Sequence, residues 1–255
     1  MSRRLIFWVA LFAIFLWVVW ATLPFLAQIF GAEWNPSTMG QWGDTFGALN
    51  ALTSSFAFAA VLYTIWMQQR QIGEARIDQH RQQFDDVFFR LLSLMRDVRG
   101  ELRYTRSTVE KARETSGGQA LRGAANDALH YIIDKSPANR ELTREEIANI
   151  YAIHVHKRSE AGLGPYFRLI YTILKRIDTD PILTEVEKIS YGNLLRGQLG
   201  SPEIALLALN GLTKDSNDLA TYLNRFRMMR YLPKSAIWTA VRPWYDASAF
   251  EPRND

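Results

Sequence analysis

Two stretches without a charged side chain constrain this chain more than anything else in it. Residues 5–23, LIFWVALFAIFLWVVWATL, and the run from Phe46 to Gln68 within FGALNALTSSFAFAAVLYTIWMQQRQ are both apolar, although 22% of the chain is charged. A bilayer core takes roughly 20 consecutive apolar residues as a helix, and each run has about that length. The first continues past Pro24 through FLAQIF to Gly31. It is longer than the apolar stretch of about 7–15 residues in a cleaved secretory signal, so it reads as an uncleaved signal anchor. Arg3 and Arg4 precede the first run, and Arg70, Arg76 and Arg81 follow the second, while the loop GAEWNPSTMGQWGDT between them has no Lys or Arg. The positive-inside rule then places both termini in the cytoplasm, with Trp34 and Trp42 of the loop in the interfacial belt.

Composition divides at the same boundary. Of 30 Lys and Arg only Arg3 and Arg4 precede Arg70, and of 26 Asp and Glu only Glu33 and Asp44 do, leaving 28 basic against 24 acidic residues and a net +4 beyond the hairpin. That excess suits an anionic leaflet or an acidic partner and is too small to argue nucleic acid. With no Cys there is no disulfide framework, thiolate nucleophile or zinc-thiolate site. The chain therefore reads as a membrane hairpin over 1–67 (helices about 5–30 and 46–67), a long helix over 68–114 that is a stalk or the long helix of a bundle, and a helical domain over 115–255. The fold class is all-α, since no run alternates with period two.

The two membrane helices differ in kind. The first is bulky, with Trp8, Phe12, Phe15, Trp17 and Trp20. The second sets Gly47, Ala51, Ser55 and Ala59 four apart, a small-residue face that lets another helix approach closely. That face packs either against its own hairpin partner or, with Asn50, Thr53 and Ser54 beside it, between protomers of a homo-oligomer. Beyond the membrane, Phe84, Phe88, Leu91, Met95, Val98, Leu102, Thr105 and Val109 follow a heptad seam. Beside it runs Arg96, Arg99, Arg103, Arg106 and Arg113, partly neutralised by Asp97, Glu101 and Glu110. This stripe is either a solvated face or a dock for an anionic trigger, nucleic acid or lipid headgroup.

Later helices announce their starts. Thr143 with Glu146 and Thr184 with Glu187 form capping boxes, Ser201-Pro202-Glu203 starts IALLALNGL, and Pro165 suits a first helical position. Final helices are expected over 216–231 and 235–245, with FEPRND a frayed tail.

Chemistry is sparse. His154 and His156 lie two apart on a helix and point to different faces, His80 and His130 are isolated, and neither HExxH, P-loop nor GxGxxG occurs. No metal, cofactor or catalytic residue is expected, and the chain does not read as an enzyme. Arg196, Gln198 and Asn210 are polar residues among apolar neighbours and form either a structural network or a ligand or partner contact in one cleft. Tyr166, Phe167, Tyr171 and Tyr191 read as core aromatics or a base-stacking platform. In RFRMMRYLPK, Arg225, Arg227, Arg230 and Lys234 either complement a helix C-terminus or, interleaved with aromatics, contact single-stranded nucleic acid or a nucleoprotein.

Four blocks in order, WGDTFGALNALTSSFAFAAVLYTIWMQQRQI running into FDDVFFRLLSLM, then GPYFRLIYTILKRI, then YGNLLRGQLGSPEIALLALNGL, resemble the phage abortive infection protein family from Trp42 to about Leu212. The resemblance implies a bacterial inner-membrane protein with two spans, acting in phage defence by killing or arresting the infected cell. Similar two-span effectors stand beside retron reverse transcriptases, which implies an inhibitory protein or nucleoprotein partner, a reverse transcriptase with its nucleic acid. Gly200 stands where the family pattern has Ser, and Ser201 is expected to cap the following helix instead. The alternative function is a membrane-anchored receptor or scaffold that does no membrane damage.

Overall fold

The computed structural model describes residues 3–31, 36–106, 114–137 and 140–252. Trp34, Val109, Glu110 and Arg113 lie outside these residues, as does the end of the expected tail, and so does the side chain of Trp42. The chain forms two units, Met1–Gly73 and Glu74–Asp255, and the described residues are almost wholly helical.

The first unit contains α1 (Arg3–Ile29) and the beginning of α2 (Pro36–Glu101). Leu11–Ile29 and the apolar part of α2 from Asn50 are long and apolar enough to cross a membrane, and neither is buried by the chain itself. Trp17, Phe56 and Phe58 are among many large apolar side chains left exposed. Such a surface is costly in water and is neutral in lipid. The described hydroxyls suit the same solvent. Thr22 donates to Val18 O (2.9 Å), Ser55 to Ala51 O (2.8 Å) and Thr64 to Ala60 O (2.8 Å), so each is satisfied within its own helix.

The second unit starts inside α2. Phe84, Phe88, Leu92 and Met95 are buried, with Leu91 and Val98 packed at the edge of the core. The apolar seam is thus a core face of this unit, as the long helix of a bundle would present it. The helix also ends earlier than its pattern suggests, at Glu101 instead of about 114. There the chain turns into β1 (Arg103–Thr105), which pairs antiparallel with β2 (Glu114–Ser116). Helix propensity is outweighed here by burial: Leu102 and Tyr104 are 2% and 1% exposed, and the Tyr104 hydroxyl donates to buried Asp127 (3.1 Å).

Helices α3 (Gly117–Lys135), α4 (Arg144–Tyr151), α5 (Glu160–Thr179), α6 (Glu185–Arg196), α7 (Ser201–Asn210), α8 (Asn217–Arg225) and α9 (Ala236–Val241) complete the unit. α7 is apolar on all sides, with every residue from Glu203 to Asn210 buried, and is therefore a central helix. It packs against α3, α4 and α9, while α5 packs against α6 and α8. A line of Ala120, Ala124 and Ala128 is fully buried on α3. Both capping boxes form, Thr143 with Glu146 and Thr184 with Glu187.

Two helix starts differ from expectation. Pro165 lies inside α5, which begins five residues earlier at Glu160. The missing N–H would have served Ala161, and both residues are exposed, so the lost bond does not strand a polar group in the core. Ser201 is not the cap of α7: Gly200 is, and its N–H is accepted by Glu203 Oε2 (2.5 Å). The final helices are shorter than expected. α8 stops because Arg227 takes a left-handed conformation (φ 49°). Met228 N–H then donates to Leu223 O (3.0 Å) and Arg227 N–H to Asn224 O (3.1 Å), a Schellman ending with Arg in the position usually held by Gly.

Close approach of α6 and the α8 ending depends on Gly192, where an added Cβ would stand 2.4 Å from the Phe226 ring. We predict that Gly192→Ala lowers stability by about 1–3 kcal/mol through overpacking. Gly197→Ala, on the same helix end, where a Cβ meets only ordinary contacts at 3.5 Å, changes it by less than about 0.5 kcal/mol. Denaturation of the detergent-solubilised protein measures both.

Candidate functional site

The small-residue face of α2 is uncovered. Gly47, Ala51, Ser55 and Ala59 are all exposed, and nothing lies within 4 Å of a Cβ placed on Gly47. Asn50 is exposed beside them. A second helix can therefore reach this face without displacing any described group of the unit.

The arginine stripe is largely used within the fold. Arg99 donates through Nη1 to Gln198 O (3.0 Å) and to both carboxylate oxygens of Glu203 (3.3 and 3.4 Å). Arg103 pairs with Glu114 (3.4 Å), and Arg106 pairs with fully buried Asp127 (3.4 Å). Arg96 is exposed. The described members of the stripe therefore do not present one continuous cationic face.

Around Glu203 the chain builds a buried polar junction. The carboxylate is 5% exposed and accepts from Tyr166 Oη, from Arg99 and from Gly200 N–H, joining α2, α5 and the start of α7. Burial, and then the charge of Glu203, push the Tyr166 phenol well above its ordinary value, so it remains a donor. Tyr104 with Asp127, and Tyr191 with Asp85 (2.6 Å), repeat this pairing of a tyrosine with a carboxylate. Glu203 was legible in the sequence only as a capping residue, and Tyr166 and Tyr191 only as aromatics. The one available signal was an acid standing at the head of an otherwise apolar helix.

The basic cluster at 225–234 divides among several tasks. Arg225 pairs with Asp178 and Glu185, each at 2.8 Å, and Arg227 donates to Pro252 O (2.7 Å). Arg230 lies 5.3 Å from the Tyr231 ring centre, and Lys234 is exposed. The three polar cleft residues are not brought together. Arg196, 3% exposed, donates to the Phe226 and Arg227 carbonyls (3.4 and 3.2 Å) and to Asn193 Oδ1 (2.7 Å), closing the end of α8. The Gln198 side chain is exposed. Asn210, at the C-terminal end of α7, opens onto a groove.

That groove, of about 560 Å³, runs between α5, the end of α7 and the segment from Thr213 to Leu219. Its walls carry His156, Glu160, Arg168, Asp215 and Asp218, with Phe167 and Tyr171 as aromatic surface. Glu160 and Arg168 stand on α5 while Asp215 and Asp218 belong to the later segment that leads into α8, so no motif betrayed the group. A widened helical turn over Ala152–His156, closed by Lys157 N–H to Ala152 O (2.9 Å), brings His156 to the groove. His154 instead stacks on Tyr131 (4.1 Å between ring centres), so the two histidines diverge. Burial pushes the His156 imidazole below its ordinary value, with Glu160 opposing and Arg168 adding to the shift.

Two outcomes follow. Arg99→Ala strips a donor from buried Glu203 and costs about 1–3 kcal/mol, whereas exposed Arg96→Ala changes stability by less than about 0.5 kcal/mol, both read from denaturation curves. Because the folded state holds His156 with a depressed pKa, the unfolded state binds more protons, and stability rises with pH. The contribution of His156 is present above the unfolded value of about 6.5 and is lost as pH falls below it. The thermal midpoint of wild type should therefore drop more steeply than that of His156→Gln between about pH 7 and 5.5.

Comparison with known proteins bears on one part of the chain. No curated protein and no solved structure matches it. The membrane block and the FDDVFFRLLSLM block lie outside the segment that does find a match, which contains α5 to α8, the polar junction's Tyr166 and Glu203, and most of the groove. Over residues 158–237 the chain matches the family described as "Putative phage abortive infection protein", and the resemblance read from GPYFRLIYTILKRI and YGNLLRGQLGSPEIALLALNGL holds there.

Proposed function

We propose that this protein is a membrane-anchored effector of bacterial antiphage defence, of the abortive-infection type, which acts by damaging the inner membrane. The family match at residues 158–237 supports a phage-defence role, and the two lipid-length apolar helices support membrane association. The observation that carries the mechanism is the exposed Gly47, Ala51, Ser55 and Ala59 face on one of those helices. Without a hydrophobic drive between helices in lipid, association depends on close van der Waals packing, which small residues permit.

In this reading both termini lie in the cytoplasm, and the helical unit is held in check by an inhibitory protein, a nucleoprotein such as a reverse transcriptase with its nucleic acid, or its own oligomeric state. Infection releases it, the small-residue faces of several protomers associate, and the bilayer is breached. No enzymatic step is invoked. The groove favours a second reading, a membrane-anchored receptor or scaffold that senses or tethers a ligand and leaves the membrane intact.

Membrane potential in phage-challenged cells separates the two. The effector reading expects depolarisation after infection with wild type and none with Ser55→Leu, whose side chain blocks close approach. An unchanged potential with defence preserved in both strains would transfer the function to the receptor reading.

A further inference from the structure

The turn that joins α4 to α5 concentrates the polar groups that the fold leaves unanswered. Among the described residues five buried side-chain atoms lack a hydrogen-bond partner, and two of these, Arg81 Nε and Asp178 Oδ1, still stand in ion pairs at 3.1 and 2.8 Å. The other three are Tyr151 Oη, His154 Nδ1 and His156 Nδ1, all between residues 151 and 156. Buried polar groups are ordinarily paired, so three orphans on one turn mark a segment held in shape by something other than its polar bonds. Apolar burial is what holds it: Tyr151 and Val155 are 1% and 0% exposed, and His154 stacks on Tyr131 of α3. The backbone is the second sign. Lys157 N–H bonds Ala152 O, five residues back, whereas an α-helical turn would give the same donor Ile153 O, four back. Two registers thus compete for one N–H, and a step between them turns side chains by about 100° around the helix axis.

We propose that this turn is a proton-operated hinge, in which charging His154 and His156 breaks the Lys157–Ala152 bond and lets the segment relax toward α-helical register, carrying His156 off the groove wall. The two Nδ1 atoms are what make the charge state matter. A neutral imidazole can leave Nδ1 as a bare acceptor, whereas a protonated one carries N–H on both nitrogens, and neither buried Nδ1 has an acceptor to answer it. The groups around each ring set how firmly it resists. His154 faces Asp134, Lys135 and the Tyr131 ring of α3, which His130 flanks, and Arg158 of the following chain, so two cations oppose its protonation and one acid favours it. His156 faces Glu160 and Arg168 of α5, Asp215 ahead of α8 and the Tyr151 ring of α4, so two acids favour its protonation and one cation opposes it. Burial is the largest cause at both rings and holds both imidazoles below their ordinary value. An opened turn returns them to water at about 6.5, so the open form binds more protons and gains as pH falls. The helix re-aimed by such a hinge is α5, which opens the segment matching the abortive infection family. Acidification around the helical unit is then the signal it reads.

The test is hydrogen exchange of the purified full-length protein in detergent, followed by mass spectrometry at about pH 7 and about pH 5.5. Exchange is expressed as protection, which removes its intrinsic pH dependence, and residues 152–158 are read against α7 as internal control. Each histidine released to about 6.5 raises the open fraction by up to roughly eightfold over this interval, so protection of the turn should fall about tenfold or more while that of α7 holds. The double variant His154→Gln, His156→Gln, whose side chains do not titrate, should keep the protection of the turn at both pH values, with circular dichroism checking its fold. Equal protection of the turn at both pH values in wild type overturns the proposal. So does a loss that persists in the double variant, or one that α7 shares in equal measure, which is global unfolding. Should the double variant not fold, the wild-type comparison of the turn with α7 decides alone. The readout uses purified protein and no membrane potential, so its failure leaves the membrane-effector proposal standing, and the converse holds.

Discussion

Burying the C-terminal end of a helix leaves its last carbonyls no recourse to water, and α7 is buried from Glu203 to Asn210. Its last four carbonyls each find a protein donor: Gly211 N–H for Leu207 (2.9 Å), the Tyr245 hydroxyl for Ala208 (2.6 Å), Leu212 N–H for Leu209 (3.2 Å) and Thr213 N–H for Asn210 (3.0 Å). Gly211 makes room for this, because a Cβ there would stand 2.5 Å from the tyrosine oxygen. At the other end Pro202 removes a donor and Glu203 accepts from Gly200. Burial of Ile204, Leu206, Leu207 and Leu209 contributes roughly 1.5–3 kcal/mol each, but only because the polar ends are answered.

That requirement organises the unit around α7. Glu203, buried to satisfy the helix start, itself needs donors, and α5 and α2 supply them through Tyr166 and Arg99. Tyr245 holds the segment after α9 against the helix end. At Asn210 the backbone carbonyl is satisfied twice, by Thr213 N–H and Oγ1, and the residue lines the groove. The groove thus lies where the satisfied core ends, and its walls come from the segment that matches the abortive infection family.

The membrane unit obeys the opposite rule. Its described side chains are almost all exposed, and the hydroxyls of Thr22, Ser55 and Thr64 are answered by carbonyls one turn back. Its specificity resides in the shape of a face, where four small residues at i+4 spacing leave a shallow track. The first unit is thus uncovered in the single chain, and the second is internally closed.

The sequence by itself determined the apolar spans, the all-α class, both threonine capping boxes and the small-residue face, because each is a local pattern in which a few neighbouring side chains decide the outcome. It also carried the family resemblance over residues 158–237. Tertiary structure decided the rest. α2 ends at Glu101 because burying Leu102 and Tyr104 against Asp127 outweighs helix propensity, and Arg99 and Arg106 were committed to carboxylates 104 and 21 residues away in the chain. Arg227 adopts a left-handed turn that its side chain disfavours, since the Schellman bonds and the Arg196 clamp hold it there. Asn210, Asp215, Arg168 and His156 share a groove only after α5 and α7 have packed, because partners distant in sequence leave no periodic trace, and a site made of them becomes visible only when the fold brings them together.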